Sequence, residues 1–123
     1  MLDTNCSPLF SRDLPHDCRR GLFGGNGAVR VWSLVDAPLL PFMAVLACEL
    51  EAGGSVGAHV QEQYPELVIG LAGSGTVIVN GHAAAFAAGS VVQLPRGHTL
   101  AIDNAGDAVL RYLIVKSEGA VQR

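Results

Sequence analysis

The sequence predicts an all-β protein, either a sandwich or a barrel, and three observations carry that prediction. Short apolar runs rich in Val, Ile and Leu recur at intervals of about ten residues, which is typical of short antiparallel strands. Turn-forming residues separate the runs, and glycine accounts for 15 of the 123 residues. No stretch keeps a helical period long enough to predict a helix. Since half of the residues are hydrophobic, we expect one domain with one core.

The predicted strands follow one another from residue 28 onward. Residues 82–87 are rich in alanine, but a glycine on either side leaves the run too short for an independent helix, so it is predicted as a strand. The dipeptide Asn80-Gly81 lies between two apolar runs and predicts a type I′ hairpin, in which both turn residues take positive φ. In chain order the runs are 29–35, 42–50, 66–71, 76–79, 82–87, 90–94, 99–103 and 109–115.

The first 27 residues differ from the rest, because they are polar and end in a glycine-rich run. We therefore expect an irregular N-terminal arm over 1–27, a β-barrel over 28–117 and a C-terminal tail over 118–123. Four apolar residues of the arm are expected to anchor it to a surface or to a partner subunit: Leu9, Phe10, Leu22 and Phe23.

Composition excludes several classes of function. The net charge is −3 and no basic cluster stands out, so nucleic-acid binding is not expected. The longest uncharged apolar stretch, 37–48, is interrupted by two prolines and is shorter than the roughly 20 residues of a membrane span. Three cysteines without a CxxC spacing make a disulfide framework unlikely in this chain, and no secretory signal is visible. We therefore expect a cytoplasmic location without a membrane partner.

A spaced set of glycine and polar residues occupies the middle of the chain. Gly53 precedes His59 by six positions, Gln61 follows two positions later, and Glu66 and Gly73 complete the set. Because side chains alternate along a strand, we expect His59 and Gln61 to share one face. Glu66 opens the next predicted strand and is expected to reach the same point.

A second set follows, in which Gly89 is succeeded by Pro95, Gly97 and Asn104. Together the two sets resemble the two signature motifs of the cupin superfamily, G-x5-H-x-H-x4-E-x6-G and G-x5-P-x-G-x2-H-x3-N. The resemblance covers about residues 42–116. It implies a jelly-roll β-barrel of two antiparallel sheets with the ligand site in its lumen, and it implies a homodimer.

The same resemblance implies a metal site that this chain only partly preserves. In metal-binding cupins three His and one Glu hold a divalent ion, and such ligands suit Mn, Fe, Ni, Cu or Zn. This chain matches those positions at His59 and Glu66, but it carries Gln61 and Leu100 at the other two. Gln61 is a weak neutral ligand and leucine cannot bind a metal. His98, two residues before Leu100, is the one available substitute.

Two hypotheses for the chemistry of the site follow. Either His59, Gln61 and Glu66, with His98 as a substitute, bind a metal, or His59 and Glu66 form a buried hydrogen-bonded pair in a metal-free pocket. Such a pair could also act as general acid and base. The predicted ligand pocket comprises His59, Gln61, Glu66, Val68, Leu100 and Ile102.

Three functions remain open at this point. The first is a small-molecule-binding protein with an incomplete metal site, which Leu100 favours because it removes a ligand and makes the pocket drier. The second is a metal-dependent isomerase, lyase or dioxygenase that uses His59 and Glu66. The third is a structural or interaction protein whose barrel is filled by side chains.

Overall fold

The described residues form ten strands in two antiparallel sheets, and the prediction of an all-β protein is confirmed. The computed structural model describes residues 8–35 and 39–118. One sheet has six strands in the order β1-β2-β3-β10-β5-β8, and the other has four in the order β4-β9-β6-β7. The strands are β1 (Asp17–Arg20), β2 (Ala28–Ser33), β3 (Phe42–Leu50), β4 (Ser55–Val60), β5 (Glu66–Ala72), β6 (Ser74–Val79), β7 (His82–Ala87), β8 (Val91–Leu94), β9 (Thr99–Asp103) and β10 (Leu110–Ser117).

The core lies between the two sheets and follows from the alternation of side chains along each strand. In the six-stranded sheet, Cys48 on β3 lies directly opposite Tyr112 on β10, and both side chains are buried. From the four-stranded sheet Ile102 and Phe86 point into the same space and are buried as well. The inward residues of both sheets therefore form one continuous hydrophobic core, as expected for a β-sandwich.

The turn between β6 and β7 has the predicted geometry. Asn80 and Gly81 have φ angles of 50° and 81°, and β6 and β7 pair antiparallel on either side of them. Both turn residues thus occupy the left-handed region, which asparagine and glycine tolerate better than other residues.

Part of the segment predicted to be irregular is a strand. Residues 17–20 form β1, which pairs antiparallel with β2 at the edge of the larger sheet. A single 3-10 turn, Leu22–Gly24, follows it. The prediction missed β1 because the segment is short and polar and all four residues are exposed, so no apolar alternation marks it. We call residues 17–27 the strap.

Residues 10–16 lie on the outer face of the larger sheet, around Trp32. Trp32 donates a hydrogen bond from Nε1 to the carbonyl oxygen of Ser11 over 2.7 Å. The imidazole of His16 stacks on the same indole at a centroid distance of 4.6 Å, and Phe10 contacts it edge-on at 5.7 Å. Phe10 therefore acts as an anchor, as expected, and it does so within its own chain.

Within residues 8–35 and 39–118, no helix has the length and apolar character needed to cross a membrane.

Candidate functional site

A partly enclosed cavity of about 110 Å³ lies between the two sheets. Most of its wall is apolar and comes from both sheets, with Val29, Leu46, Val56 and Ile114 among the lining residues. The polar groups that line it are Arg19, Cys48, His59, Glu66, Tyr112 and Lys116.

Four of the six residues predicted for the pocket line this cavity, namely His59, Glu66, Leu100 and Ile102. The other two do not. Val68 is fully buried in the core between the sheets, and Gln61 is buried beyond the end of β4.

His59 lies on β4, and one side of its ring is fixed by the backbone. Its Nδ1 lies 3.0 Å from the carbonyl oxygen of Gly57. Because a carbonyl oxygen can only accept, Nδ1 carries the hydrogen and donates it. In the neutral ring Nε2 is then a hydrogen-bond acceptor. This arrangement sets the tautomer of a side chain that lines the cavity.

The strap places an aromatic ring against the imidazole of His59. The ring of Phe23 stacks on the imidazole of His59 at a centroid distance of 4.0 Å and an interplanar angle of 11°. Phe23 has a φ angle of 52°, which is uncommon for a bulky residue and indicates that its surroundings fix the conformation. A side chain at Gly57 would overlap the carbonyl oxygen of Phe23. The glycine therefore lets the strap lie close against β4.

Glu66 is the buried polar side chain of the cavity whose hydrogen bonding is incomplete. It opens β5, as predicted, and only 4% of its surface is exposed. Neither carboxyl oxygen has a hydrogen-bond partner among the residues that the structure describes. Burial raises the pKa of this carboxyl, and the Lys116 ammonium partly opposes that shift. The hypothesis of a hydrogen-bonded pair between His59 and Glu66 is therefore wrong, because Glu66 makes no such bond.

Two cationic side chains accompany the carboxyl. Lys116 on β10 lies directly opposite Glu66 on β5, and its Nζ lies 3.9 Å from Oε2 of Glu66. That distance exceeds a hydrogen bond, so the pair is a loose ion pair. Arg19 reaches the cavity from β1, and its guanidinium also contacts the exposed Asp17 with an N–O distance of 3.2 Å.

Two further polar groups of the cavity are neutral. Burial raises the pKa of the Cys48 thiol to about 12, and burial also raises the pKa of the Tyr112 hydroxyl. Neither group is ionised at neutral pH. Cys48 is therefore an uncharged part of the wall, in keeping with the usual behaviour of a buried cysteine.

Gln61 and His98 lie near each other, outside the lining of the cavity. The backbone N–H of Gln61 donates to the carbonyl oxygen of His98 over 3.0 Å. Gln61 follows Val60, the last residue of β4, and it does not line the cavity that His59 lines. Nδ1 of His98 lies 3.1 Å from Nδ2 of Asn80, a residue of the hairpin turn between β6 and β7.

The side chains of the cavity do not fit the divalent metal that the motif implies. One imidazole and one carboxylate are the metal-binding groups that remain, since Leu100 cannot coordinate and His98 lies elsewhere. In addition, the ammonium of Lys116 lies beside the carboxylate. No group of three His, Cys, Asp or Glu side chains suitable for a metal occurs within residues 8–35 and 39–118. A protein metal site needs at least three such ligands as a rule.

Among the lining residues that the predicted pocket did not include, Arg19, Phe23 and Lys116 matter most for the chemistry of the cavity. Lys116 had a signal, because it lies two and four positions after the inward residues Ile114 and Tyr112 and so shares their face. Arg19 and Phe23 had none, since their placement depends on how the strap folds back onto the sheets.

Comparison with known proteins identifies the family. A model of the cupin domain matches residues 46–116, whereas no curated protein matches. A predicted oxalate decarboxylase from Thermotoga maritima is similar in structure, with a TM-score of 0.82 and 25% sequence identity over 91% of this chain and 99% of that one. A Cupin 2 conserved barrel domain protein from Salinispora arenicola has a TM-score of 0.71 and 26% identity over 93% of this chain and 88% of that one.

These likenesses confirm the jelly-roll barrel that the motifs implied. The chain belongs to the cupin-domain family.

Proposed function

We propose that this cupin is a small-molecule-binding protein whose ligand occupies the cavity between the sheets without a resident metal ion. The buried carboxyl of Glu66, which has no hydrogen-bond partner among the described residues, carries this proposal. A buried polar group without a partner costs about 1–3 kcal/mol, and native proteins seldom retain one without a compensating role. A ligand that supplies hydrogen bonds to Glu66 removes that cost when it binds.

The other contents of the cavity support binding over a purely structural role. Lys116 and His59 also present polar atoms to the same space, while the rest of the wall is largely apolar. Concave sites with apolar walls and a few convergent polar groups are typical of ligand pockets. A barrel filled by its own side chains would leave no such space, so the cavity favours the first of the three functions.

A binding screen tests the proposal. Small compounds of different charge are added to ¹⁵N-labelled protein, and amide shifts are followed by NMR. We expect at least one compound to shift residues that line the cavity, such as Leu100 and Ile102. In Val31→Phe or Ile114→Phe, which fill the cavity, these shifts should be lost. Val60→Phe adds the same ring at an exposed position of the smaller sheet and serves as the control.

The second candidate is a metal-dependent enzyme of the isomerase, lyase or dioxygenase type. The likeness to a protein described as a predicted oxalate decarboxylase favours it, as does the presence of both His59 and Glu66 at one cavity. Elemental analysis of protein purified without chelator or metal-affinity tag distinguishes the two. We expect no stoichiometric Mn, Fe, Ni, Cu or Zn. A stoichiometric ion that is lost in His59→Ala would replace the first proposal with the second.

A further inference from the structure

The chemistry of the ligand is constrained first by the cations of the cavity. Lys116 and Arg19 both line the cavity, and the acidic side chain that lines it is Glu66. Asp17 pairs with Arg19 from an exposed position, where solvent screens its charge. A cavity with two cations and apolar walls favours an anion over a neutral or cationic guest, because charges interact more strongly away from water.

A second constraint comes from the acceptors. The two carboxyl oxygens of Glu66 lack hydrogen-bond partners within the described part of the chain. Nε2 of His59 is also an acceptor, since Nδ1–H is committed to the carbonyl oxygen of Gly57. A ligand that carries only a carboxylate offers these atoms no hydrogen. A ligand that also carries a hydroxyl group can donate one.

The volume of the cavity limits the size of the ligand. A cavity of about 150 Å³ accommodates benzene, which has about six non-hydrogen atoms. The cavity here measures about 110 Å³ and is partly open beside the strap. A guest of about six non-hydrogen atoms is therefore near the upper limit, and sugars and nucleotides are too large.

We propose that the ligand is a short-chain 2-hydroxycarboxylate, and this inference rests on the proposed function. The ligand carboxylate accepts hydrogen bonds from the ammonium of Lys116. The neighbouring hydroxyl donates to Glu66, whose carboxyl lies 3.9 Å from that ammonium. Arg19, at the strap, adds positive charge where the cavity meets the solvent. Lys116 thus provides a fixed cation that binds the acid group directly.

Calorimetric titration with three matched compounds tests the proposal. L-lactate has both groups, propionate lacks the hydroxyl, and L-lactamide lacks the charge. The titrations are done with EDTA present, so that any stray metal ion is removed. We expect lactate to bind at least tenfold more tightly than lactamide and several-fold more tightly than propionate. Equal affinities for lactate and lactamide would overturn the proposal.

Variants locate the binding. Lys116→Met keeps an unbranched, largely apolar side chain but removes the ammonium group, and we expect at least a tenfold loss of lactate affinity. Arg19→Gln should weaken lactate binding several-fold. Arg20→Gln is the matched control, because Arg20 lies next to Arg19 in sequence but lines a separate surface pocket. Unchanged lactate affinity in a folded Lys116→Met protein would refute the assigned role.

The outcomes also separate this inference from the proposed function. If neutral compounds shift cavity residues in the NMR screen while lactate does not bind, the cavity is a binding site and only the ligand class is wrong. If neither the neutral compounds nor lactate shift the NMR signals of the cavity residues, both proposals fail. Lactate binding that persists in Ile114→Phe, where the cavity is filled, would place lactate elsewhere and overturn this inference alone.

Discussion

Burial of the Glu66 carboxyl couples the stability of this protein to pH. The pKa of this group is raised above its ordinary value of 4.5, chiefly by burial. The folded protein therefore holds the proton up to a higher pH than the unfolded chain does. Between the two pKa values the folded state binds more protons, so the free energy of unfolding falls as the pH rises.

We predict that Glu66→Gln removes this dependence. The amide cannot ionise, so the stability of the variant relative to the wild type should increase as the pH rises from about 5 to 8. Urea denaturation at several pH values measures the difference. Glu62→Gln, at an exposed position, should show no such trend. A stability difference that stays constant over this pH range would contradict the prediction.

At the level of residues, the sequence predicted the centre of the site better than its rim. His59 and Glu66 both line the cavity, and both lie on strands, where the alternation of side chains fixes their direction. Gln61 does not line the cavity, and it lies past the last residue of β4, where the alternation of a strand no longer fixes the direction of a side chain. Arg19 was not anticipated, since nothing in a short polar segment indicates which sheet edge it joins.

Among the elements, the strap lies against the imidazole of the cavity. The ring of Phe23 covers one face of His59, and such aromatic stacking contributes about 0.5–1.5 kcal/mol. We predict that Phe23→Ala increases the rate at which diethyl pyrocarbonate modifies His59, by up to about tenfold. Mass spectrometry of peptides measures the rate at each histidine.

His82 provides an internal reference for that experiment, because it is exposed on β7 and lies apart from the strap. Its rate of modification should not change in Phe23→Ala. Equal rates for His59 in the wild type and the variant would show that the ring of Phe23 does not protect the imidazole in solution.

Asn104 joins two loops at the ends of strands, and its loss should destabilise the fold. The side chain is buried, and its Nδ2 donates to the carbonyl oxygens of Leu50, Glu51 and Ala108 over 3.2, 3.1 and 2.9 Å. We predict that Asn104→Ala lowers the free energy of unfolding by about 3 kcal/mol, because buried carbonyl groups lose their donor. Urea denaturation measures the change. Asn26→Ala, at an exposed position, is the control, and a similar effect in both variants would contradict the explanation.

Most elements could be predicted because apolar runs and turn residues delimit them. The run 42–50 corresponds to β3, and Asn80-Gly81 forms the expected turn. β1 could not be predicted, since it is exposed along its whole length and is held mainly by pairing with β2. Local sequence does not record such pairing when neither face of the strand is buried.

For the whole molecule, the homodimer that the motifs implied stays a prediction, and the surface suggests where it forms. An apolar groove of about 390 Å³ runs beside β5 and β8, and the exposed Leu67 lines it. Val91, on β8, is also exposed. β8 is an edge strand of the larger sheet. We propose that a second copy pairs with this edge, because pairing would satisfy the free backbone groups and cover the apolar side chains.

We predict that Leu67→Glu converts a dimer into a monomer, since a charge would be buried at the contact. Sedimentation velocity over a range of concentrations measures the change. Val60→Glu introduces the same charge at an exposed position of the smaller sheet and should leave the dimer intact. A wild-type protein that sediments as a monomer at all concentrations would contradict the proposed contact.

The position of the strap limits how far the function of one protein can be assigned to another from the likeness of their barrels. The match to the cupin domain begins at residue 46, whereas Arg19 and Phe23 precede it and still line the cavity. Part of the cavity wall thus lies outside the segment that identifies the family. Replacing a peptide of about ten residues at the amino-terminal side would change the wall of the cavity while the barrel stays the same. Two proteins with equivalent barrels therefore need not recognise equivalent compounds.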